Sequence, residues 1–482
     1  MPTLLTNQNI REYRYIQLAA ALESKIITGV YRTGEKLPSV RKLHHRTGFS
    51  ITTVYHSLIE LEKRGYVEAR QKSGFYVKPR LQHILPSPTL KRHQPVAKKV
   101  NINAIAAAIV EAMGDRKILQ LGGSVVAPGL LPHKELNRII KSISPKQLTD
   151  LMTMYENPSG NLMLRRQLAQ RSIDILQKTG IEDIVVTSGC IEAVRLCLQA
   201  VANPGDTIVV ESPTYSWFLQ MIEDLNMLAL ELPTDPSSGI DLNSLDRATQ
   251  THPIKAAILV PNFHNPLGFL MPDEKKRRLV AFMNERKIPI IENDIHGDLY
   301  FEGQRPATLQ SFDKTGMVLY CNSFSKTLSP GLRIGWTVPG AFHDRVLQLK
   351  INTGIASPGI TQHVVAEYLR GGSYERHLRN LRTTLKNQVR SVSLSVAGHF
   401  PEGTRITAPK GGLMLWIEMD DKVDGLKLFH AAMEKRISIL PGSMCSSTRQ
   451  YHNCIRISCG FPWSEKIKNG IRTLAKIVKK MS

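Results

Sequence analysis

From about residue 118 to the C-terminus, apolar strand-like runs alternate with helical patterns, a texture that suits a mainly parallel sheet covered by helices and little else. The first 80 residues read differently. Between Tyr13 and Arg80 there are short helical patterns closed by a pair of strand-like runs. Between Leu81 and about Lys117, a stretch with Pro86, Pro88 and Pro95 and the cations Lys91, Arg92, Lys98 and Lys99 keeps no steady period. Proline fixes φ and removes a donor, so 81–117 is expected as an exposed, semi-extended linker. The 482 residues are too many for one core. The texture divides them into a head over 11–80 and a body over 118–482, the latter with a smaller C-terminal α/β subdomain from about 345. No repeat of solenoid length is present.

Composition narrows the class. Hydrophobic residues make up 42% and charged residues 22%, as in globular proteins. No apolar run reaches the roughly 18 residues of a membrane span, and Met1–Arg14 lacks the apolar centre of a signal peptide. A cytoplasmic protein with no membrane partner is expected. The six cysteines form no C-x-x-C pair, which suggests reduced thiols and no metal site. The net charge of +22 favours a polyanionic partner, because neutralising phosphates releases counterions.

In the head, Tyr15, Leu18, Ala19, Leu22, Ile26 and Ile27 form one helical stripe closed by Gly29. Ser39 is placed to cap a short second helix carrying Val40 and Leu43, which Gly48 stops. Ser50 then caps a third helix whose inner face is Val54, Leu58 and Leu61. Two short helices joined by a glycine turn make a helix-turn-helix. The N-terminal part of its second helix enters the major groove, so Ser50, Thr52, Thr53, Tyr55 and His56 are candidate contacts to phosphates or base edges of double-stranded DNA. Ser39, Arg41, Lys42 and Arg46 on the preceding helix are candidate backbone contacts. The runs Tyr66–Arg70 and Phe75–Val77 flank a turn with Lys72, Ser73 and Gly74, a basic hairpin wing in which Lys72 and Gly74 complete the candidate DNA surface. Residues 1–80 hold 14 Lys/Arg against 6 Asp/Glu, a basic balance suited to that task.

In the body, Ser323-Phe324-Ser325-Lys326 is followed by Arg333. A lysine among hydroxyls and near an arginine suits a Schiff base with the aldehyde of pyridoxal 5′-phosphate, with Ser323, Ser325 and Arg333 holding its phosphate. Other pieces follow in chain order. Ser188, Gly189 and Cys190 lie between a strand and a helix, where backbone N–H groups cradle phosphate. Tyr215 follows the strand Thr207–Glu211 and would cover the pyridine face, and Asn265 follows the strand Ala256–Val260 and would bond the phenolic oxygen. The strand Ile288–Ile291 runs into Glu292-Asn293-Asp294-Ile295-His296, where an acidic residue is needed to keep the ring nitrogen protonated. Arg456 is placed to grip a carboxylate of a substrate or effector.

Two resemblances follow from these strings. The run G-E-K-L-P-S-V-R from Gly34, with G-F-S-I-T-T-V-Y, L-E-K-R-G-Y-V and S-G-F-Y-V, resembles the GntR family of winged-helix regulators, apart from His44-His45, where that family carries a small residue and where looser helix packing is expected. The body pieces, with Met154-Tyr155-Glu156-Asn157-Pro158-Ser159-Gly160 and Leu164-Arg165, resemble fold-type I aminotransferases. Head and body together resemble MocR-type regulators. The resemblance implies an α+β winged helix-turn-helix head followed by a large α/β pyridoxal-phosphate transferase domain, a homodimer, and Lys326 as the cofactor's lysine. The family register of Asp, two residues, then Tyr puts Asn293 and His296 in those slots. Asp294 would fit only after a one-residue shift that reverses the facing of side chains, and the sequence leaves the choice open.

Three functions are weighed. The first is a regulator that binds operator DNA as a dimer and senses pyridoxal phosphate or its adduct with an amino acid or amine; Asn293 and His296 favour it. The second is an active aminotransferase carrying a DNA-binding head, and the third a decayed body serving as a dimerisation scaffold.

Overall fold

The computed structural model describes residues 14–482 apart from 33, 64, 71–72, 79–84, 101–114, 116, 174, 177–178 and 449. Contacts divide the chain into two compact units, Met1–Ile84 and Leu85–Ser482.

The head is built from helices α1 (Arg14–Ile27), α2 (Val40–Thr47) and α3 (Ile51–Lys63) and a hairpin of β1 (Val67–Arg70) and β2 (Gly74–Val77). Leu18, Ala19, Leu22 and Ile26 of α1 meet Leu43 of α2, Val54, Leu58 and Leu61 of α3, and Val67 and Val77 of the hairpin in one buried cluster. The predicted caps form. Ser39 Oγ accepts from the Lys42 N–H at 3.3 Å, and Ser50 Oγ accepts from the Thr53 N–H at 3.1 Å. Gly48 takes φ 71°, the left-handed conformation that lets α2 stop and α3 start at once. Next to His44-His45, where looser packing is expected, the turn is held by side-chain hydrogen bonds. His44 Nδ1–H donates to Phe49 O at 2.6 Å and Thr47 Oγ1 donates to Leu43 O at 2.8 Å, so these side chains stitch the turn.

Strands of the body are β3 (Leu119–Gln120), β4 (Val185–Thr187), β5 (Thr207–Ser212), β6 (Leu228–Asp235), β7 (Gly239–Ile240), β8 (Ile254–Leu259), β9 (Ile290–Asn293), β10 (Val318–Ser323) and β11 (Gly335–Val338). Among the described residues an eight-stranded sheet has the order β4-β11-β10-β9-β8-β5-β6-β7. The run β10-β9-β8-β5-β6 is parallel, and β11 lies antiparallel to both neighbours. Every residue of β5, β9 and β10 is buried, which is why these strands read as continuous apolar runs rather than alternating ones. The helix Cys190–Val201 covers the sheet with Ala193, Val194, Cys197 and Leu198 turned inward. Because β5, β8, β9 and β10 run the same way, their carboxyl ends open onto one edge of the sheet.

The C-terminal part carries β12 (Arg405–Ile406), β13 (Met414–Glu418), β14 (Ile437–Ser438), β15 (Leu440–Pro441) and β16 (Cys454–Ser458). An antiparallel sheet in the order β12-β13-β16-β15 is the smaller layer, and β14 pairs in parallel with β3.

The linker expectation is corrected for residues 85–100, which fold with the body. Thr89 donates through its N–H and Oγ1 to the Glu418 carboxylate at 2.7 and 2.5 Å, and Lys91 Nζ donates to Gln450 O and Asn453 Oδ1, each at 2.9 Å. Lys98 pairs with Ala229 of β6. Each proline lacks the N–H a helix needs, and the extended backbone around them finds partners in the body instead, as Lys98 does with Ala229.

Candidate functional site

The carboxyl ends of β5, β8, β9 and β10 surround a cavity of about 270 Å³. Its walls hold the predicted residues Cys190, Tyr215, Asn265, Asn293, His296, Ser325, Lys326, Arg333 and Arg456. The walls also contain Gly122, Ser124, Trp217 and Met444, which sequence reasoning did not single out. Three lining residues are Lys or Arg and none is Asp or Glu, so the cavity wall carries cationic side chains without acidic ones.

Lys326 follows β10, and its Nζ donates to Ser124 O. Burial first, then the cations Arg456 and Arg333, bring its pKa down to about 8. An amine so placed is partly unprotonated near neutrality and is a competent nucleophile toward an aldehyde. Beside it, Arg333 Nη2 donates to Ser188 O at 2.7 Å. Arg333 has φ 54°, and a side chain at Gly189 would collide with its guanidinium. Strain at 333 and the missing Cβ at 189 hold the guanidinium next to the N-terminus of the helix Cys190–Val201, the combination that a phosphate group needs.

Two predicted phosphate ligands stand one step back. The Ser188 N–H donates to the Glu192 carboxylate, a capping interaction that occupies this donor. Ser323 Oγ accepts from the Ser325 N–H at 3.0 Å and pairs with Ser325 Oγ at 2.8 Å and Ile334 O at 3.0 Å, so it orients Ser325, the serine that faces the cavity.

The alternative left open on β9 is resolved by alternation along the strand. Asn293 lines the cavity. Asp294, offered as a cofactor ligand, does not reach it: the carboxylate accepts from Asn262 Nδ2 at 2.9 Å, Arg305 Nη2 at 2.6 Å and Tyr320 OH at 3.0 Å behind the sheet. Neither Arg305 nor Tyr320 belongs to a recognisable motif, and only their proximity in the fold explains why this carboxylate turns away.

At the other end of the cavity, Arg456 of β16 donates to Asn265 Oδ1 at 2.8 Å and to Gly122 O, while its Nε has no partner among the described residues. Burial lowers its pKa, and among the described residues no carboxylate pairs with it. A buried cation without a counter-ion is costly, and a ligand carboxylate would relieve that cost. Gly122 is needed because a Cβ there would lie 2.7 Å from Ser438 Oγ. The Gly122-Gly123 pair was the only local signal that backbone approaches closely here. Tyr215 stacks edge-on against Phe218 at 5.4 Å, and burial pushes its pKa up to about 12, keeping the phenol neutral.

In the head, Arg41, Lys42, Arg46, Thr52, Tyr55 and His56 are exposed and Thr53 is half-buried. Thr52, Tyr55 and His56 share the outer face of α3, opposite Val54, Leu58 and Leu61. Ser39 and Ser50 are exposed too, but their hydroxyls are engaged as caps. Gly74 opens β2 with φ 108°, and Arg70 lies 4.2 Å over the Tyr76 ring in the wing. Lys72 lies outside the described residues. No helix of the described residues is long and apolar enough to cross a membrane.

Comparison with known proteins matches both units. A family model described as Aminotransferase class I and II covers residues 128–474, and one described as Bacterial regulatory proteins, gntR family, covers residues 14–77. The uncharacterised HTH-type transcriptional regulator YjiR of Escherichia coli (strain K12) is 37% identical over 473 residues, spanning 96% of this chain and 98% of that protein. The HTH-type regulator YdcR of the same organism is 34% identical, spanning 97% of this chain and 99% of that protein. Among solved structures, Pyrococcus horikoshii kynurenine aminotransferase superposes with a TM-score of 0.72 at 27% identity, covering 79% of this chain and 95% of that one.

Proposed function

The chain belongs to the family of transcriptional regulators that join a GntR helix-turn-helix head to a class I and II aminotransferase domain, the MocR architecture, and from that premise we propose that it senses pyridoxal 5′-phosphate together with an amino acid and reports it through DNA affinity. The aminotransferase domain implies pyridoxal 5′-phosphate as cofactor, and the residues present suit it. An arginine held beside a glycine at a helix N-terminus, a lysine with a depressed pKa and an unpartnered buried Nε2 on His296 all lie along one cavity. Bound there, the cofactor would supply an aldehyde for amines and a conjugated ring that delocalises electrons.

In this reading Lys326 holds the aldehyde as a Schiff base, and Ser325 and Arg333 hold the phosphate. Tyr215 covers the ring and Asn265 approaches the phenolic oxygen. Arg456 takes the amino acid's carboxylate. The observation that carries the reading is the uncompensated Arg456 cation in the same cavity as Lys326: it calls for a ligand with a carboxylate and an amine, which selects amino acids over simple amines.

Two copies would place two heads on two half-sites. The homodimer is supported by an exposed apolar run in the body, with Met152 at 62%, Met154 at 72% and Tyr155 at 84% exposure, the kind of surface a second copy would cover. A working aminotransferase is the second reading, favoured by the reactive state of Lys326; the amide of Asn293 where a carboxylate would activate the ring weighs against it.

Borohydride reduction followed by peptide mass spectrometry tests the cofactor assignment. The expected result is one pyridoxyl group, on Lys326. A pyridoxyl group elsewhere, or none, overturns it, and amino-acid turnover at ordinary enzyme rates overturns the regulator reading in favour of the enzyme.

A further inference from the structure

The end of strand β9 and the turn that follows it hand two polar side chains, Asn293 and His296, to the cavity, and their partners fix what each one offers. Asn293 Oδ1 accepts from the Ile295 N–H at 3.1 Å and from the Cys190 S–H at 3.5 Å. Two donors from different elements set the amide with its oxygen toward the protein, leaving Nδ2, a donor without a partner among the described residues, for the cavity. His296 is 1% exposed, with Nδ1 lying 3.1 Å from Phe263 O. A carbonyl only accepts, so Nδ1 carries the hydrogen. Burial above all, with Lys326 and Arg456 nearby, depresses the ring's pKa to about 3 and keeps it neutral. Its Nε2, which has no partner among the described residues, is therefore a lone-pair acceptor in the cavity wall.

We propose that Asn293 donates to an unprotonated pyridine nitrogen and His296 accepts from a protonated phenolic oxygen, so that this cavity holds the cofactor ring in its neutral form. The proposal rests on the cofactor reading above. An amide N–H facing a pyridinium N–H would set donor against donor, and a bare imidazole nitrogen facing a phenolate would set lone pair against charge. The surroundings point the same way. The cavity walls hold no carboxylate, so a pyridinium there would have no counter-ion from the protein. The neighbouring carboxylate, Asp294, is neutralised by Arg305 on the far side of the strand. Asn265 is compatible, since its Oδ1 is committed to Arg456, which leaves Nδ2, without a partner among the described residues, as the group to donate to the same phenolic oxygen. A neutral ring withdraws electrons weakly, so an amino acid bound there is held rather than converted, the behaviour a sensor requires.

The test uses the full-length protein loaded with pyridoxal phosphate labelled at the ring nitrogen. Nitrogen NMR is expected to show the shift of a neutral pyridine, and the absorption band is expected in the near ultraviolet rather than the visible. Asn293→Asp should move the nitrogen signal toward pyridinium, and Asn293→Asp with His296→Tyr should also move the band into the visible. A pyridinium shift in the wild-type protein overturns the proposal whether or not the variants fold. So does a wild-type signal that Asn293→Asp, loaded to the same extent, leaves unchanged. Absence of any band together with no pyridoxyl group on Lys326 is a different failure, that of the cofactor reading itself.

Discussion

Lys326 carries an amine that burial and two arginines have brought to a pKa of about 8, and this sets how the protein takes up its cofactor. Only the unprotonated amine attacks an aldehyde, so the rate of pyridoxal-phosphate loading should climb with pH through about 8 and level off above it. A stopped-flow pH series checks this, and a rate still climbing tenfold per unit past pH 9, roughly where an ordinary lysine remains protonated, would show an unperturbed amine. Arg456→Ala should weaken effects of amino acids by about 10- to 100-fold, the worth of hydrogen bonds to a charged group, while leaving cofactor loading intact. At this scale the sequence was informative about identity but not about facing. Lys326, Arg333, Asn265 and Arg456, singled out from strand ends and neighbouring hydroxyls, come together along one cavity. Asn293 and Asp294 were not separable, because the answer lies in Arg305 and Tyr320, remote residues that draw Asp294 behind the sheet. Ser188 and Ser323 had the right address and were spent on Glu192 and Ser325.

Helix α3 presents Thr52 and Tyr55 outward from a face packed by Val54 and Leu58, so these side chains are free to read DNA without loss to the head's core. Replacing either with Ala should weaken operator binding by about 1–3 kcal/mol if it contacts a base, as followed by anisotropy of labelled DNA, with the cofactor band unmoved. Gly48→Ala tests the turn itself. At φ 71° it should destabilise the head by about 1–2 kcal/mol, read as a lower Tm of the head transition alone. Caps and helix stripes were legible because they are local: Ser39, Gly48 and Ser50 act on residues within four positions of themselves. The linker was not. Its prolines spoke correctly for extended backbone, but Thr89 and Lys91 find partners in Glu418 and Asn453, more than 300 positions away, which no local pattern announces.

For the whole molecule, the alternation of apolar runs and helical patterns named the architecture, since strands buried on both faces and helices around them leave few other arrangements. What the pattern lacked was closure. The segment Gly122–Ser124 crosses to the cavity beside β3 and supplies carbonyls to Lys326 and Arg456, and it looked like an ordinary loop. The exposed run at Met152, Met154 and Tyr155 belongs to the same scale, and a charge placed there, Tyr155→Asp, should shift the protein toward monomer in sedimentation analysis and reduce its affinity for a two-site operator. The central claim is that one polypeptide couples occupation of the cavity to the grip of its heads. A ligand achieves this only through different affinity for two states of the protein. The direct measurement is the affinity for DNA from upstream of the protein's own gene, taken without cofactor, with pyridoxal phosphate, and with pyridoxal phosphate plus each of a panel of amino acids. It is run on the wild type and on Lys326→Ala. The account predicts that affinity changes between these conditions in the wild type and stays constant in the variant; an affinity that is the same in all of them for both proteins contradicts it.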